Sequence, residues 1–192
     1  AARNEKALKL LTAELHEQGH PATYVKADVG REEDVKIIAE TAIKEFGHFN
    51  TWVNNAGLSI YGHAMEVTND DIRRLFDTNF WSVVYGTKAA VSHFKKEGSP
   101  GAIIQSTYAA AKFAVHGWTE SVRMELEKEN APVSVTLIHP GRIDTPYNEH
   151  AKSYLDKQPG HRGMIYPPEA VAEAILHSAE NPKRDMYVGS QA

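Results

Sequence analysis

The sequence predicts an α/β fold, a doubly wound parallel sheet in a single domain, and three observations predict it. Short apolar runs around Val53, Ile103 and Val135 alternate with longer segments whose apolar residues recur at helical spacing. Those runs are apolar on both faces, as strands are when helices cover a sheet on both sides through right-handed crossovers. Small and polar residues also gather where the runs end, at Asp28-Val29, Asn54-Asn55-Ala56-Gly57, Tyr108 and His139-Pro140-Gly141. Ligands bind beyond the carboxyl ends of the strands in such sheets.

The elements follow in order. Leu8, Leu11 and Leu15 mark a first helix that Gly19 and Pro21 stop. ATYVKADV, residues 22–29, reads as a strand, and Val35, Ile38, Ala39, Ala42, Ile43 and Phe46 form the apolar face of a second helix closed by Gly47. FNTWVNNAG reads as a buried strand breaking into amide and small residues. Thr68-x-x-Asp71 is a capping box opening a third helix, with Val67 placed to staple against Ile72, and its apolar face runs from Ile72 to Phe94. GAIIQS is the next strand, followed at once by a helix through TYAAAKFAVHGWTE, then the strand VSVTLIHPG, a helix over PPEAVAEAILHSA with proline in its first turn, and a last strand DMYVGS. The one long irregular stretch, residues 144–167, has the length and composition of a lid or binding loop.

Composition narrows the function. The 192 residues carry a formal net charge of −4, with 42% hydrophobic and 24% charged residues, enough for one well-buried domain. Without a dense Lys/Arg cluster, nothing points to nucleic acid or an anionic membrane. The absence of cysteine removes disulfides and thiolate metal sites and permits a reducing, cytoplasmic setting. No apolar run reaches membrane-spanning length. His16 to His20 fits H-E-x-x-H, but Gly19 and Pro21 interrupt the helix that a zinc site would need, so no metal is expected.

Tyr108 and Lys112 lie four residues apart in a run of helix formers, on one helix face. A free tyrosine has a pKa of about 10. Lowering it by roughly three units needs ~4 kcal/mol, about what one cation at ~4 Å supplies at an effective dielectric near 20. Lys112 alone is marginal; a second positive charge, such as an oxidised nicotinamide ring, would let Tyr108 exchange a proton with an alcohol or alkoxide. The alternative is a surface Tyr and Lys on an amphipathic helix. Asn79 sits on an apolar helix face between Phe76 and Phe80, where a buried amide needs partners, whether functional or a neighbouring backbone group.

Together, Asn54-Asn55-Ala56-Gly57 after a strand, Asn79 in the next helix, Tyr108-x-x-x-Lys112, and Pro140-Gly141-x-Ile143-x-Thr145 after a later strand resemble the short-chain dehydrogenase/reductase family, from Ala2 to about Gly189. The resemblance implies one NAD(P)-binding Rossmann-type domain over residues 1–192, and NAD(P)-dependent interconversion of a small carbonyl and its alcohol. It implies Tyr108 as acid/base, Lys112 as the residue that lowers its pKa and holds the nicotinamide ribose, and Asn79 as the anchor of a water in a proton relay. Asp28 and Val29 match adenine contacts, while Asn55, Ala56 and Gly57 match the cofactor cleft. Pro140, Gly141, Ile143 and Thr145 match the segment touching the carboxamide. Arg3 stands where NAD-preferring relatives carry an acidic residue, and a guanidinium suits a 2′-phosphate, so NADP is expected, with NAD possible. The alternative for Arg3 is a solvated charge at a helix start. A homodimer or homotetramer is implied as well.

Two family parts are missing: a Gly-rich turn after a first strand, and the serine on a loop before the tyrosine that helps stabilise developing charge. Ser106, two residues before Tyr108, resembles the residue just ahead of the helix and is not assigned to that role. The expectation is a longer polypeptide that carries the first strand-helix-strand unit, the serine loop and a tail. The alternatives are a non-catalytic NAD(P)-sensing or scaffold relative and a sugar epimerase or dehydratase. Ser59, Ile60, Tyr61, Tyr147, His150 and Tyr154 suggest a partly aromatic substrate pocket.

Overall fold

The computed structural model describes residues 1–63, 65–106, 111–146, 151–155 and 164–189. Helices α1 (Glu5–Glu17) and α2 (Glu32–Phe46) precede strand β1 (Thr51–Asn54) and the short β2 (Ile60–Tyr61). Helix α3 (Asn69–Phe76) passes through a π-helical turn (Asp77–Trp81) into α4 (Ser82–Glu97). Then follow β3 (Gly101–Ser106), α5 (Ala111–Lys128), β4 (Val133–Pro140), β5 (Lys152–Ser153), α6 (Pro168–Glu180) and β6 (Asp185–Val188).

The main sheet has the order β1-β3-β4-β6, all parallel. Its register pairs Asn54 with Gln105, Ser106 with Ile138, and Pro140 with Val188, so the polar strand ends converge on one edge. Both faces are covered. Ile103 and Val135 pack with Phe94, Val122 and Leu126 of α4 and α5, while Ile104 and Ile138 pack with Val171, Ala174 and Ile175 of α6. Successive residues of a strand point to opposite faces, which is why the apolar runs of β3 and β4 are continuous. At Gly101 a Cβ would come within 2.3 Å of the Phe94 ring, so only glycine lets that ring reach the base of β3.

Three expectations need correction. Residues 22–29 do not form a regular strand: Lys26 makes a single parallel bridge to Ala2, because among the described residues only that short segment lies alongside it. The first helix forms where Leu8, Leu11 and Leu15 mark it, though the stripe buries nothing fully and Leu11 is exposed; its start is set by the Asn4 cap, accepting from Ala7 N at 3.1 Å, with Lys9 against Glu5 on its surface. β1 is half-exposed rather than buried, with Val53 40% accessible, because among the described residues it pairs with β3 alone. The stretch 144–167 is not wholly irregular, since β5 pairs in parallel with β2 and Ile143 bridges Tyr166.

Candidate active site

The site starts where β1 ends. Trp52 Nε1 donates to Asn54 Oδ1 at 2.8 Å, and Asn54 Nδ2 and Gln105 Nε2 both donate to Thr87 Oγ1, at 3.4 and 3.0 Å. Thr119 Oγ1 closes the ladder by donating to Gln105 Oε1 at 2.5 Å. This line, half-buried at Trp52 and Asn54 and buried at Thr87, Gln105 and Thr119, ties β1, α4, β3 and α5 together, and satisfied polar networks of this kind fix a unique arrangement. Gly86 makes it possible, since a Cβ there would fall 2.2 Å from Asn54 Oδ1 and 2.5 Å from Trp52 Nε1.

Beyond Asn54 the chain turns through Asn55, Ala56 and Gly57 to Leu58. Asn79 grips Leu58 at both backbone groups: Leu58 N donates to Asn79 Oδ1, and Asn79 Nδ2 donates to Leu58 O, each at 2.8 Å. Asn79 is 2% exposed and lies in the π-helical turn. A π turn adds a residue to the helical repeat and is frequent at functional sites. The amide on an apolar face thus finds its partner in the backbone that follows the Asn-Asn-Ala-Gly motif.

Next to this turn lies a cleft of about 540 Å³, within the usual size of a small-molecule site. It brings together Arg3, Asp28, Val29, Asn55, Ala56 and Gly57, with Leu58 and Thr78 along its wall. Asp28 is locally fixed, its Oδ1 accepting from Gly30 N at 3.1 Å and its own N–H donating to Asp34 Oδ2 at 2.8 Å. A guanidinium at one end, a carboxylate nearby, and small residues through which backbone can approach a ligand suit a nucleotide with a phosphate.

A second cluster ties down residues 152–154. Asp71 Oδ2 accepts from Lys152 Nζ and Tyr154 Oη at 2.5 Å each and from Thr68 Oγ1 at 2.9 Å. The hydrogen bond from Lys152, then that from Tyr154, hold the Asp71 carboxyl down at about 2, from an ordinary 3.8. Asp71 was legible only as a helix cap; Thr68 Oγ1 does accept from Asp71 N at 3.2 Å, but the Asp71 side chain reaches across to the loop.

A family model described as short chain dehydrogenase matches residues 1–155. The chain belongs to the short-chain dehydrogenase family. It is 71% identical to "Uncharacterized oxidoreductase YxnA" of Bacillus subtilis over the whole of this chain and 58% of that protein. That match runs over 206 positions against 192 residues, so YxnA carries at least 14 residues without a counterpart here, the excess of 206 over 192. The chain is 33% identical to "3beta-hydroxysteroid dehydrogenase 2" of Eggerthella lenta over 84% of this chain and 65% of that one. The chain therefore spans about three-fifths of these relatives' length. Among solved structures, a short chain dehydrogenase from Burkholderia cenocepacia in complex with NADP superposes with a TM-score of 0.79 at 20% identity, over 98% of this chain and 83% of that one, which establishes the shared fold.

Within the family's motifs, Lys112 is half-buried in the first turn of α5, and Tyr108, Tyr147 and His150 lie outside the described residues. Pro140 ends β4 and Gly141, Ile143 and Thr145 follow it; none of them lines the Arg3 cleft, because β4 lies two strands from β1. Gly141 N donates to Val188 O at 2.8 Å, and the Ile143 bridge to Tyr166 fixes the start of the long loop. His139, on the same edge, meets Asp185 Oδ1 at 2.9 Å and stacks on Tyr187. Helix α1 ends at Glu17, ahead of His20, and His16 Nε2 lies 2.8 Å from Ala22 O. Among the described residues no helix is long and apolar enough to cross a membrane.

Proposed function

We propose that the chain is the larger part of an NADP(H)-dependent oxidoreductase that interconverts a carbonyl and an alcohol by hydride transfer. The observation that carries this reading is the cleft joining Arg3, Asp28 and Val29 to Asn55, Ala56 and Gly57 at the carboxyl end of β1. When bound, the cofactor supplies the hydride. Arg3 offers its fork to a 2′-phosphate, and Asp28 and Val29 flank the adenine. Asn55 to Gly57 allow close backbone approach, and Asn79 holds that turn in place through Leu58. Pro140, Gly141, Ile143 and Thr145 meet the carboxamide end. Tyr108 gives its proton to the substrate carbonyl oxygen and takes it back in the reverse direction, while the Lys112 ammonium stabilises the phenolate. Asn79, by its place in the family's pattern, also anchors the water that links Lys112 to solvent.

The substrate is a ketone or secondary alcohol of modest size. A relative named as a hydroxysteroid dehydrogenase and the half-buried Ile60, Tyr61 and Tyr154 support a partly apolar, aromatic pocket. The working unit is a homodimer or homotetramer, and the exposed Phe113 and Met124 on α5 support a helix-to-helix interface. The setting is cytoplasmic.

One observation favours a second reading. YxnA has at least 14 residues that this chain lacks, from 206 aligned positions against 192 residues, and the chain shows no family serine on a loop before Tyr108. A molecule without that serine would bind cofactor as a sensor or scaffold and turn over poorly. Titrating the protein with NADPH and NADH, then adding a panel of ketones, separates the readings. Submicromolar to micromolar NADPH binding with ketone-dependent oxidation, abolished by Tyr108→Phe while binding persists, is the expected result. Binding without turnover selects the second reading, and no binding of either nucleotide refutes both.

A further inference from the structure

We propose that Asp71 is a positioning residue for the substrate: its carboxylate clasps Lys152 and Tyr154, and so holds residues 152–154 as a wall of the substrate site beside Ile60 and Tyr61. This rests on the oxidoreductase reading above and adds a residue that the family's Asn, Tyr and Lys motifs do not contain.

Backbone pairing and side-chain bonds both converge on residues 152–154. The β2·β5 ladder pairs Ile60 with Lys152 and Tyr61 with Ser153, and Tyr154 N donates to Tyr61 O at 2.7 Å. Two residues per strand make a weak ladder, since isolated two-stranded pairs are marginal in water. The side-chain clasp supplies the rest. Lys152 Nζ and Tyr154 Oη, each 2.5 Å from the same Asp71 oxygen, point back to the first turn of α3, and Lys152 Nζ lies 5.1 Å from the Tyr154 ring centroid. Gly62 completes the seat: a Cβ there would come 2.9 Å from Tyr154 Cβ, so glycine lets the tyrosine lie over the turn after β2.

The seat is continuous with the cofactor side. β2 follows Leu58, which Asn79 grips at both backbone groups, and Leu58 follows Asn55 to Gly57. One short run of backbone, residues 55–61, therefore borders the cofactor cleft at one end and pairs with the long loop at the other. A charge-assisted carboxylate with three donors on one oxygen fixes orientation as well as proximity. Loop residues held this way meet the substrate without first paying the entropy of ordering, which appears in KM more than in kcat.

The test uses the whole chain with three variants, Asp71→Ala, Lys152→Met and Lys152→Arg. The Thr68 cap contacts the Asp71 backbone N–H, so α3 keeps its cap in every variant, and the Lys152 variants leave α3 untouched. Two quantities are read: hydrogen exchange at the amides of residues 152–155 in the protein alone, and KM and kcat for NADPH-driven reduction of the best ketone. Asp71→Ala and Lys152→Met are expected to speed exchange and to raise the ketone KM by about tenfold, with kcat and the KM for NADPH moving less than about threefold. Lys152→Arg, which still reaches the carboxylate, is expected to restore both. Exchange unchanged in Asp71→Ala overturns the clasp. Exchange faster with the ketone KM unchanged overturns the positioning role. A wild-type chain that binds NADPH but reduces no ketone counts against the oxidoreductase reading instead, and takes the substrate role of Asp71 with it.

Discussion

Replacing Asn79 by leucine tests how the fold sets the motif that follows β1. The two side chains have the same number of heavy atoms and the same branching, so the change removes the amide's donor and acceptor with only a modest gain in volume. The wild-type amide, 2% exposed, makes two 2.8 Å bonds to the N–H and C=O of Leu58. Leaving a buried peptide donor or acceptor without its partner costs about 1–3 kcal/mol each. Burying the leucine side chain in place of an amide returns roughly 1–2 kcal/mol of this. The net expectation is a loss of about 1–4 kcal/mol, which for a chain of this length is a fall of roughly 3–12 °C in Tm. Because Leu58 lines the Arg3 cleft, NADPH affinity should fall as well. Asn79→Asp separates the two bonds: its carboxylate still accepts from Leu58 N but opposes Leu58 O. Its carboxyl pKa in the folded chain is therefore raised, and the penalty relative to wild type is full near neutral pH and shrinks as the pH falls and the group protonates. Urea unfolding of the three proteins at two pH values, with NADPH titration, is the assay. An Asn79→Leu chain with Tm within about 2 °C of wild type and unchanged NADPH affinity would refute the reasoning.

Gly86→Ala should destabilise the chain by about 1–3 kcal/mol, because its Cβ would meet Asn54 Oδ1 at 2.2 Å and break the Trp52–Asn54 bond; thermal unfolding and the near-ultraviolet signal of tryptophan report it. Arg3→Glu should weaken NADPH by about 10–100-fold, the worth of one charge-assisted phosphate bond, and leave NADH nearly unchanged, as measured by parallel titrations. The Asp71 clasp should be resistant to acid. Its carboxyl pKa lies at about 2 against an ordinary 3.8, so its contribution is fully present above 3.8 and is lost as pH falls through about 2. Exchange protection at residues 152–154 should accordingly persist at pH 4, relative to Asp71→Ala at the same pH.

The centre of the sheet was legible because β3 and β4 are apolar on both faces, a pattern that only a covered parallel strand explains. The edges were not. Residues 22–29 carry strand-like residues, but a strand is made by its neighbours, and the described chain offers it only Ala2. Leu8, Leu11 and Leu15 recur at helical spacing, yet periodicity says which residues share a face and not whether anything covers that face. At the site, an amide among phenylalanines flagged Asn79 as needing a partner, and the partner is Leu58, just after the Asn-Asn-Ala-Gly motif and 21 residues earlier. The π turn that carries it has no pattern of its own in the sequence. Asp71 was readable as a cap because capping is local; its bonds to Lys152 and Tyr154 span more than 80 positions and depend on how the long loop returns to α3.

The most direct test of the account follows the hydride itself. NADPH carrying deuterium at C4, prepared as each of the two stereochemical forms, is given to the protein with a ketone, and the alcohol product is analysed by mass spectrometry. The account predicts deuterium on the carbinol carbon from one form only, with no product from Tyr108→Phe. Alcohol formed without deuterium from either form, or labelled product from Tyr108→Phe at the wild-type rate, would contradict it.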